Sequence, residues 1–442
     1  MSEFVIPNKI YQPEFECMER SELEALQLKR LKEAVKRASG LDFYKKKFAE
    51  LKIDSDSINS LEDLKKLPFT TKADLREYYP FGFFAVPRSE LARIHASSGT
   101  TGKPTFVGYT KKDLDTWSTL CARFLVAGGL TPDQVAQVSF GYGLFTGGFG
   151  LHYGIEKVGA AIIPASSGNT QRQIMLLQDA KVDTVICTPS YALNIAEVIK
   201  EKGLKKDDLA WKFAHFGGEQ WTEEMRERIE EALGIKAFNN YGLSEIIGPG
   251  VSGECAARRG MHIQEDHFIV ECINPETLEP VAEGEEGELV ITALTKEACP
   301  IIRYRTRDLA RLFYDQCPCG RTTRRMSRVK GRSDDMMIIR GVNVFPSQIE
   351  EALMKVSGIA PHYLIELYRP NNLDSAVVKV EMLPETFSDK MDELQKLKNR
   401  IDREIAAITG LHFDIQLVPP NSLERTAGKA KHVADYRNLK IE

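Results

Sequence analysis

Thr184-Val-Ile-Cys-Thr188, Pro189 to Lys200, Lys212-Phe-Ala-His-Phe216 and Thr222 to Leu233 follow one another in the middle of the chain. The first and third are short β-branched and apolar runs. The second and fourth carry apolar residues at helical spacing, and the fourth stops before Gly234. Strand, helix, strand, helix in that order reads as an α/β architecture with substantial parallel sheet. The alternation extends outward, from roughly Leu91 to Arg311. Upstream, the first ~80 residues read as helical, with charged and apolar residues at helical spacing from Ser21 to Leu51. Downstream, Gly284 to Thr295 and the arginine-rich run after it read as a more antiparallel, β-rich annex. A second unit begins near Gly331, and the boundary is placed at Arg332–Asp334. It holds a helix Pro346–Val356 and strands around Tyr363–Tyr368 and Ala376–Met382, separated by the turn Pro370-Asn371-Asn372. A long amphipathic helix runs from near Ser388 to Gly410, and a last strand lies around Phe413–Val418. The expected fold is α/β: a large N-terminal domain, residues 1–332, with mainly parallel sheets plus a β-rich annex, and a small α+β C-terminal domain, residues 333–442.

Bulk properties narrow the function. A chain of 442 residues has room for two or three cores. With 43% hydrophobic and 28% charged residues it has a soluble globular composition. A net charge of −4 argues against a nucleic-acid coat or a basic membrane anchor. The N-terminus has no basic stretch followed by an apolar run, and no long apolar segment occurs, so a cytoplasmic location is expected, with no membrane partner. Eight cysteines in a chain this size make a poor disulfide framework and fit a reducing compartment. Cys17, Cys121, Cys187, Cys272 and Cys299 stand alone and read as small buried residues. The sequence admits a homodimer without requiring one.

The most informative loop is Ser97-Ser98-Gly99-Thr100-Thr101-Gly102-Lys103-Pro104-Thr105. Two glycines let the backbone turn tightly and bring amides close to an anion; hydroxyls add donors and Lys103 adds charge. It is not a Walker A loop, because only two residues separate the glycines and Pro104 follows the lysine. Its flanks, Ala92–His95 and Phe106–Tyr109, read as strands.

The stretch resembles the phosphate loop of the acyl-adenylate-forming superfamily of acyl-CoA synthetases, luciferases and peptide-synthetase adenylation domains. Five further elements follow in the family's order. Gly217-Gly218-Glu219, after a strand, resembles its adenine-contacting turn. Asn240-Tyr241-Gly242-Leu243-Ser244-Glu245 resembles Tyr-Gly-x-Thr-Glu, which implies Tyr241 stacked on adenine and Glu245 offering a hard oxygen to Mg²⁺. Tyr304-Arg305-Thr306-Arg307-Asp308 resembles Tyr-Arg-Thr-Gly-Asp, which implies Asp308 on the ribose hydroxyls, with Arg307 in place of the usual glycine. Gly331-Arg332-Ser333-Asp334-Asp335 matches the hinge motif, with Arg332 approaching the nucleotide and Asp334 as pivot. Leu423-Glu-Arg-Thr-Ala-Gly428-Lys429 is close to the family's Thr-x-x-Gly-Lys, which implies Lys429 entering the site when a mobile C-terminal domain closes.

Phe140-Gly-Tyr-Gly-Leu-Phe-Thr-Gly-Gly-Phe-Gly-Leu-His-Tyr-Gly154 interleaves aromatics with glycines. Tyr142, Phe145, Phe149 and Tyr153, with Gly147 and Gly148 between them, would give flat walls suited to an aryl ring. The chain as a whole is similar to the phenylacetate–CoA ligase family. That resemblance implies ATP-dependent ligation of a small, aryl carboxylic acid such as phenylacetate to coenzyme A through an acyl-adenylate, releasing AMP and pyrophosphate. Mg²⁺ on Glu245, the loop donors with Lys103, and Lys429 would neutralise developing charge. Arg340-Gly341-Val342-Asn343, beside the hinge, would line the pantetheine path. Transfer to a carrier-protein thiol, or a catalytically silent nucleotide-binding regulator, are the alternatives; saturable kinetics with free coenzyme A and release of pyrophosphate separate them.

A second constellation stands apart from these motifs. Cys255 and His262 flank Gly260, and Cys317 and Cys319 flank Pro318 ahead of Gly320. Three thiolates and one imidazole suit tetrahedral Zn²⁺ with no open position, a structural role, provided the fold brings the two halves together. His215 and His267 receive no assignment.

Overall fold

The computed structural model describes residues 6–97, 104–339, 342–369, 375–387, 390–425 and 430–437. Ser98 to Lys103, Arg340, Gly341, the Pro370-Asn371-Asn372 turn, Ser388 and Lys429 therefore lie outside the described residues. The chain falls into two compact units, one of residues 1–187, 207–218 and 236–328, the other of residues 188–206, 219–235 and 329–442. No helix among the described residues is long and apolar enough to cross a membrane.

The alternation read in the middle of the chain is present. Strand Thr184–Cys187 leads to helix Pro189–Glu201, and strand Phe213–Phe216 to helix Glu223–Leu233. Local chemistry sets the helix limits. Thr188 caps the first helix by accepting from the Tyr191 amide, with Pro189 at the first position, and Thr222 caps the second through the Met225 amide. Gly234 ends the second at φ 72°, a left-handed conformation that glycine adopts without strain.

In the first unit, strands Ala161–Ile163, Val135–Val138, Thr184–Cys187, Phe213–Phe216 and Lys236–Leu243 pair in parallel in that spatial order. The annex is not a separate layer. The same sheet continues antiparallel from Lys236–Leu243 through Gly248–Glu254, Met261–Ile263, Arg325–Met326, Tyr304–Phe313 and Glu286–Ala293 to Phe268–Ile273. The loop flanks are strands Arg93–Ala96 and Phe106–Tyr109, paired antiparallel. The predicted helical run Ser21–Leu51 is two helices, Arg20–Ala38 and Asp42–Leu51. The chain turns between them at Ser39–Leu41, where the Leu41 side chain is drawn into the core. Cys121, Cys187, Cys272 and Cys299 are buried, as expected, but Cys17 is only half-buried.

Helices Lys111–Ala127 and Gly147–Val158 touch with almost nothing between them. A Cβ on Gly150 would lie 2.4 Å from the Trp117 ring, and one on Gly154 would lie 2.5 Å from Cys121 Cβ. Two of the glycines expected to open space between aromatics thus serve backbone packing instead.

In the second unit, strands Ile359–Tyr368 and Ser375–Met382 pair antiparallel, and Asp414–Val418 joins the latter in parallel. Asp414–Val418 is not the last strand: Val433–Asp435 pairs in parallel with Ile359–Tyr368. At three residues it is too short to show alternation in sequence. Helix Pro346–Met354 and helix Met391–Thr409, which Gly410 ends at φ 74°, cover this sheet through Ile349, Leu353, Ile401 and Ile405.

Candidate active site and metal centre

The first unit gathers the predicted nucleotide residues around the edge where parallel pairing gives way to antiparallel. Strand Lys236–Leu243 carries Asn240, Tyr241 and Gly242. The Asn240 side-chain amide donates to the Phe216 carbonyl at 2.7 Å. A Cβ on Gly217 would lie 2.8 Å from the Asn240 side-chain oxygen, so this turn must be glycine to lie flat on its neighbour. Gly242 is more constrained still, since a Cβ there would meet the Gly248 carbonyl at 1.9 Å. The pairing register shifts between Tyr241, opposite Ser252, and Gly242, opposite Pro249, so the facing strand bulges there while Leu243 stays paired with Gly248.

Tyr241 and Asp308 come together across the sheet: the tyrosine hydroxyl donates to Asp308 Oδ2 at 2.6 Å. Asp308 lies on strand Tyr304–Phe313, its amide held by the Thr306 hydroxyl at 3.0 Å. Arg307, the departure from the motif, has φ 68°, the region where the family's glycine would be at ease. Its guanidinium reaches the fully buried Glu288 at 3.5 Å, a partner glycine could not supply. Glu245 is buried, and Lys72 reaches it at 3.5 Å. Ser244 and Thr146 share a hydroxyl–hydroxyl bond of 3.0 Å, tying the Tyr241 strand to the start of the aromatic helix. At the loop base, Ser97 Oγ accepts from the Thr105 amide at 3.1 Å and the Ser97 amide donates to the Thr105 carbonyl at 3.0 Å.

The aromatic stretch departs from the expected four-walled slot. Tyr142 and Phe149 meet edge to face, 5.3 Å apart at 86°. Phe149 and Tyr153 lie parallel at 6.4 Å, and the Arg93 guanidinium sits 4.9 Å from each ring centroid. Tyr153 and Phe145 are partly exposed. Gly147 abuts the Phe145 ring, and Gly148 abuts the Gly141 carbonyl, where a Cβ would lie at 2.8 Å. Burial and hydrogen bonding to the Leu144 carbonyl act oppositely on neighbouring His95, and burial prevails, holding its pKa low. Sequence reasoning misses Lys72 and Arg93. Each is an ordinary basic residue outside any motif, and only the fold brings it to its partner.

In the second unit, Arg332 forms a two-bond fork with Asp334, at 2.9 and 3.0 Å, rather than standing apart. Both residues belong to a turn closed by the Asp335 amide on the Arg332 carbonyl at 3.1 Å. Glu219, expected in the adenine turn beside Gly217 and Gly218, has its carboxylate on two backbone amides: Ser190 at 2.7 Å and Ala430 at 2.9 Å. Met337–Ile339 and Val342–Val344 pair with Ile339 opposite Val342, on either side of Arg340 and Gly341.

The two cysteine pairs meet. His262 lies opposite Arg325, and Arg325 opposite Phe313, so strand pairing brings the Cys255–His262 segment to the Cys317–Cys319 knuckle. All four ligand atoms lie within 4.8 Å of one another and all four residues are buried. Cys255 and Cys317 sulfurs are 3.7 Å apart, and Cys319 Sγ is 3.3 Å from His262 Nε2. His262 Nδ1 faces the Thr323 hydroxyl at 3.0 Å, which orients the ring and turns Nε2 toward the sulfurs. Hydrogen bonding with Cys255, then with the His262 ring, holds the Cys319 thiol below its ordinary pKa despite burial.

Residues 17–294 match the family model for AMP-binding enzymes, and residues 341–437 match the model for the AMP-binding enzyme C-terminal domain. The chain is 48% identical to a phenylacetate-coenzyme A ligase of Thermus thermophilus, across 97% of this chain and 100% of that one. It is 47% identical to the phenylacetate-coenzyme A ligase of Escherichia coli, across 95% and 96%. The chain belongs to the phenylacetate–CoA ligase family of AMP-binding enzymes. A crystal structure of 2-hydroxyisobutyryl-CoA ligase, in the postadenylation state with R3-HIB-AMP, superposes at TM-score 0.90 with 30% identity, over 96% of this chain and 91% of that one. Membership makes the chain an AMP-forming acid–thiol ligase that uses ATP and coenzyme A. It also confirms the α/β fold with a small α+β C-terminal part that the sequence indicated.

Proposed function

We propose that this ligase activates phenylacetate. The observation that carries the reading is near-half identity, over almost the whole chain, to phenylacetate–CoA ligases from different organisms. The edge-to-face pair Tyr142–Phe149 supports it as an apolar wall for a ring. The acid's carboxylate oxygen attacks the α-phosphorus of ATP, forming the acyl–phosphate bond as the bond to pyrophosphate breaks. The thiol sulfur of coenzyme A then attacks the acyl carbon, and AMP leaves with the electron pair of that oxygen. Tyr241 and the Gly217-Gly218 turn would hold adenine, Asp308 the ribose, and the Ser97–Thr105 loop with Lys429 the phosphates. Glu245, a buried carboxylate with the Lys72 ammonium at 3.5 Å, fits a hard cation, and Mg²⁺ there would neutralise phosphate charge. In a pyrophosphate-release screen of aryl and aliphatic acids with free coenzyme A, kcat/KM for phenylacetate should exceed that for 2-hydroxyisobutyrate by at least about tenfold. Equal or reversed preference overturns the assignment.

The division into residues 1–332 and 333–442, with Asp334 as pivot, belongs to the same reading. Asp334 is the third residue of its turn, where proline forces the preceding residue away from helical φ and ψ. Two arrangements of the hinge cannot tolerate that equally, and strain of about 1–3 kcal/mol confined to one of them changes one half-reaction ~5- to 150-fold relative to the other. Asp334→Pro should therefore shift the ratio of adenylation to thioester rates at least about tenfold, whereas Asp334→Ala, which removes only the fork to Arg332, should not. Equal impairment of both steps by proline would place the pivot elsewhere.

The Cys255, His262, Cys317 and Cys319 cluster fits structural zinc. Tetrahedral thiolates at the usual Zn–S bond length lie about 3.8 Å apart, and the Cys255–Cys317 spacing is 3.7 Å. With three sulfurs, one oriented imidazole and full burial, it leaves no position for substrate.

A further inference from the structure

Helix Gly147–Val158 carries Phe149, His152, Tyr153 and Glu156 at spacings of three and four residues, which place them side by side on neighbouring turns. Phe149 and Tyr153 supply rings, but His152 and Glu156 have no part in the mechanism described so far. Glu156 Oε1 lies 3.3 Å from His152 Nε2. A helical pair of this kind contributes little on its own. What sets it apart is a third member from outside the helix: the other ring nitrogen, His152 Nδ1, lies 3.1 Å from the Tyr142 hydroxyl. The carboxylate can only accept, so it assigns the hydrogen of a neutral imidazole to Nε2 and leaves Nδ1 as an acceptor. The tyrosine O–H must then donate to Nδ1. Burial, and after it the negative charge of Glu156, push the Tyr142 pKa up, which keeps that proton on the phenol oxygen. The Tyr142 ring stands edge-on to both neighbours, at 86° to Phe149 and 88° to the His152 ring.

We infer that His152 is the positioning residue of the acid slot: it holds the Tyr142 hydroxyl on Nδ1, with Glu156 fixing the imidazole, so that the Tyr142 ring is set against Phe149 before the acid arrives. This role rests on the reading of Tyr142 as a wall for the ring of the acid. Tyrosine turns about two side-chain bonds, and a wall that had to be ordered on binding would weaken affinity by the entropy of that ordering. The hydroxyl is also committed to a nitrogen, so the slot offers an arene a carbon surface with no O–H hydrogen in need of a partner. An aryl acid gains from both. A small aliphatic acid, with no ring to lay against Tyr142, gains little. His152 therefore acts on which acid is taken, and the chemistry at phosphorus is left to other residues.

The experiment measures pyrophosphate release with phenylacetate and with 2-hydroxyisobutyrate as the acid. His152→Leu should raise KM for phenylacetate about 5- to 10-fold, with kcat and KM for ATP little changed. The preference for phenylacetate over 2-hydroxyisobutyrate should shrink by the same factor. His152→Asn should restore most of the loss, because an amide oxygen can accept where Nδ1 does. In a Tyr142→Phe background His152→Leu should cost almost nothing more, since the hydroxyl it held is gone. An unchanged KM for phenylacetate in His152→Leu overturns the inference, as does an equal loss with both acids or an undiminished loss in the Tyr142→Phe background. A fall in kcat with both acids that His152→Asn does not restore also overturns it, leaving His152 a packing residue alone. Tyr142→Ala with unchanged KM for phenylacetate overturns instead the reading of Tyr142 as a wall.

Discussion

Lys429→Ala should lower the rate of pyrophosphate release by ~10²–10³-fold or more while leaving thioester formation from supplied acyl-adenylate nearly intact. During adenylation, charge builds on the α-phosphate oxygens as the acid oxygen arrives and pyrophosphate departs. An ammonium placed there stabilises the transition state more than bound ATP, so its loss appears in kcat rather than KM. The second step begins from an adenylate whose pyrophosphate has already gone, and its developing charge lies on the carbonyl oxygen. Arginine should rescue poorly, because a planar fork does not replace a compact point charge. If thioester formation falls as far as adenylation does, Lys429 serves both steps and the assignment fails.

Removal of the metal centre should have the largest effect on stability. Protein purified without chelator should contain about one zinc per chain, and Cys317→Ser should lower both zinc content and melting temperature, the latter by at least about 5 °C. The cluster joins segments that pair only through short strands, Met261–Ile263 and Arg325–Met326. Without the metal, three buried sulfurs lose their common partner, and the His262 ring keeps its bond to Thr323. The same strand that bears Arg325 precedes the chain's passage to the hinge, and strand Tyr304–Phe313, which carries Asp308, pairs with it. Nucleotide affinity should therefore weaken along with stability. Metal-free protein that melts at the same temperature as the purified enzyme would remove zinc from the account.

The parts legible in sequence are those set by local rules. Strand Thr184–Cys187 and helix Pro189–Glu201 follow from β-branched residues, a threonine cap and a proline at the first turn, all within twenty residues. The nucleotide residues Tyr241 and Asp308 are legible as motif members, but their direct hydrogen bond is not, since it joins positions 67 apart through sheet pairing. Zinc chemistry requires Cys255 and His262 to meet Cys317 and Cys319, but their spacing along the chain does not dictate the meeting. It depends on the register of three strands, two of them only two or three residues long. Glu219 escapes the motif for a related reason. Its motif neighbours Gly217 and Gly218 show what the turn's backbone needs, whereas the partners of its side chain, Ser190 and Ala430, lie 29 positions before it and 211 after it. Lys72 and Arg93 give no signal at all, because a lone basic residue has the same appearance in sequence wherever it points.

The close seam between helices Lys111–Ala127 and Gly147–Val158 bears on how such an enzyme could change its diet. Phe149 and Tyr153 alternate along the chain with Gly150 and Gly154, so the rings are carried by a helix whose adjoining face rests directly on Trp117 and Cys121. That seam acts as a mechanical stop. One methyl group added at Gly150 cannot be absorbed by the indole ring behind it, and the helix must move bodily, taking its aromatic residues along. On the proposed reading of Phe149 and Tyr153 as walls for the acid, the calibre of that site would be adjustable from the seam, and substitutions at Trp117 or Cys121 should shift acid preference with the lining unchanged.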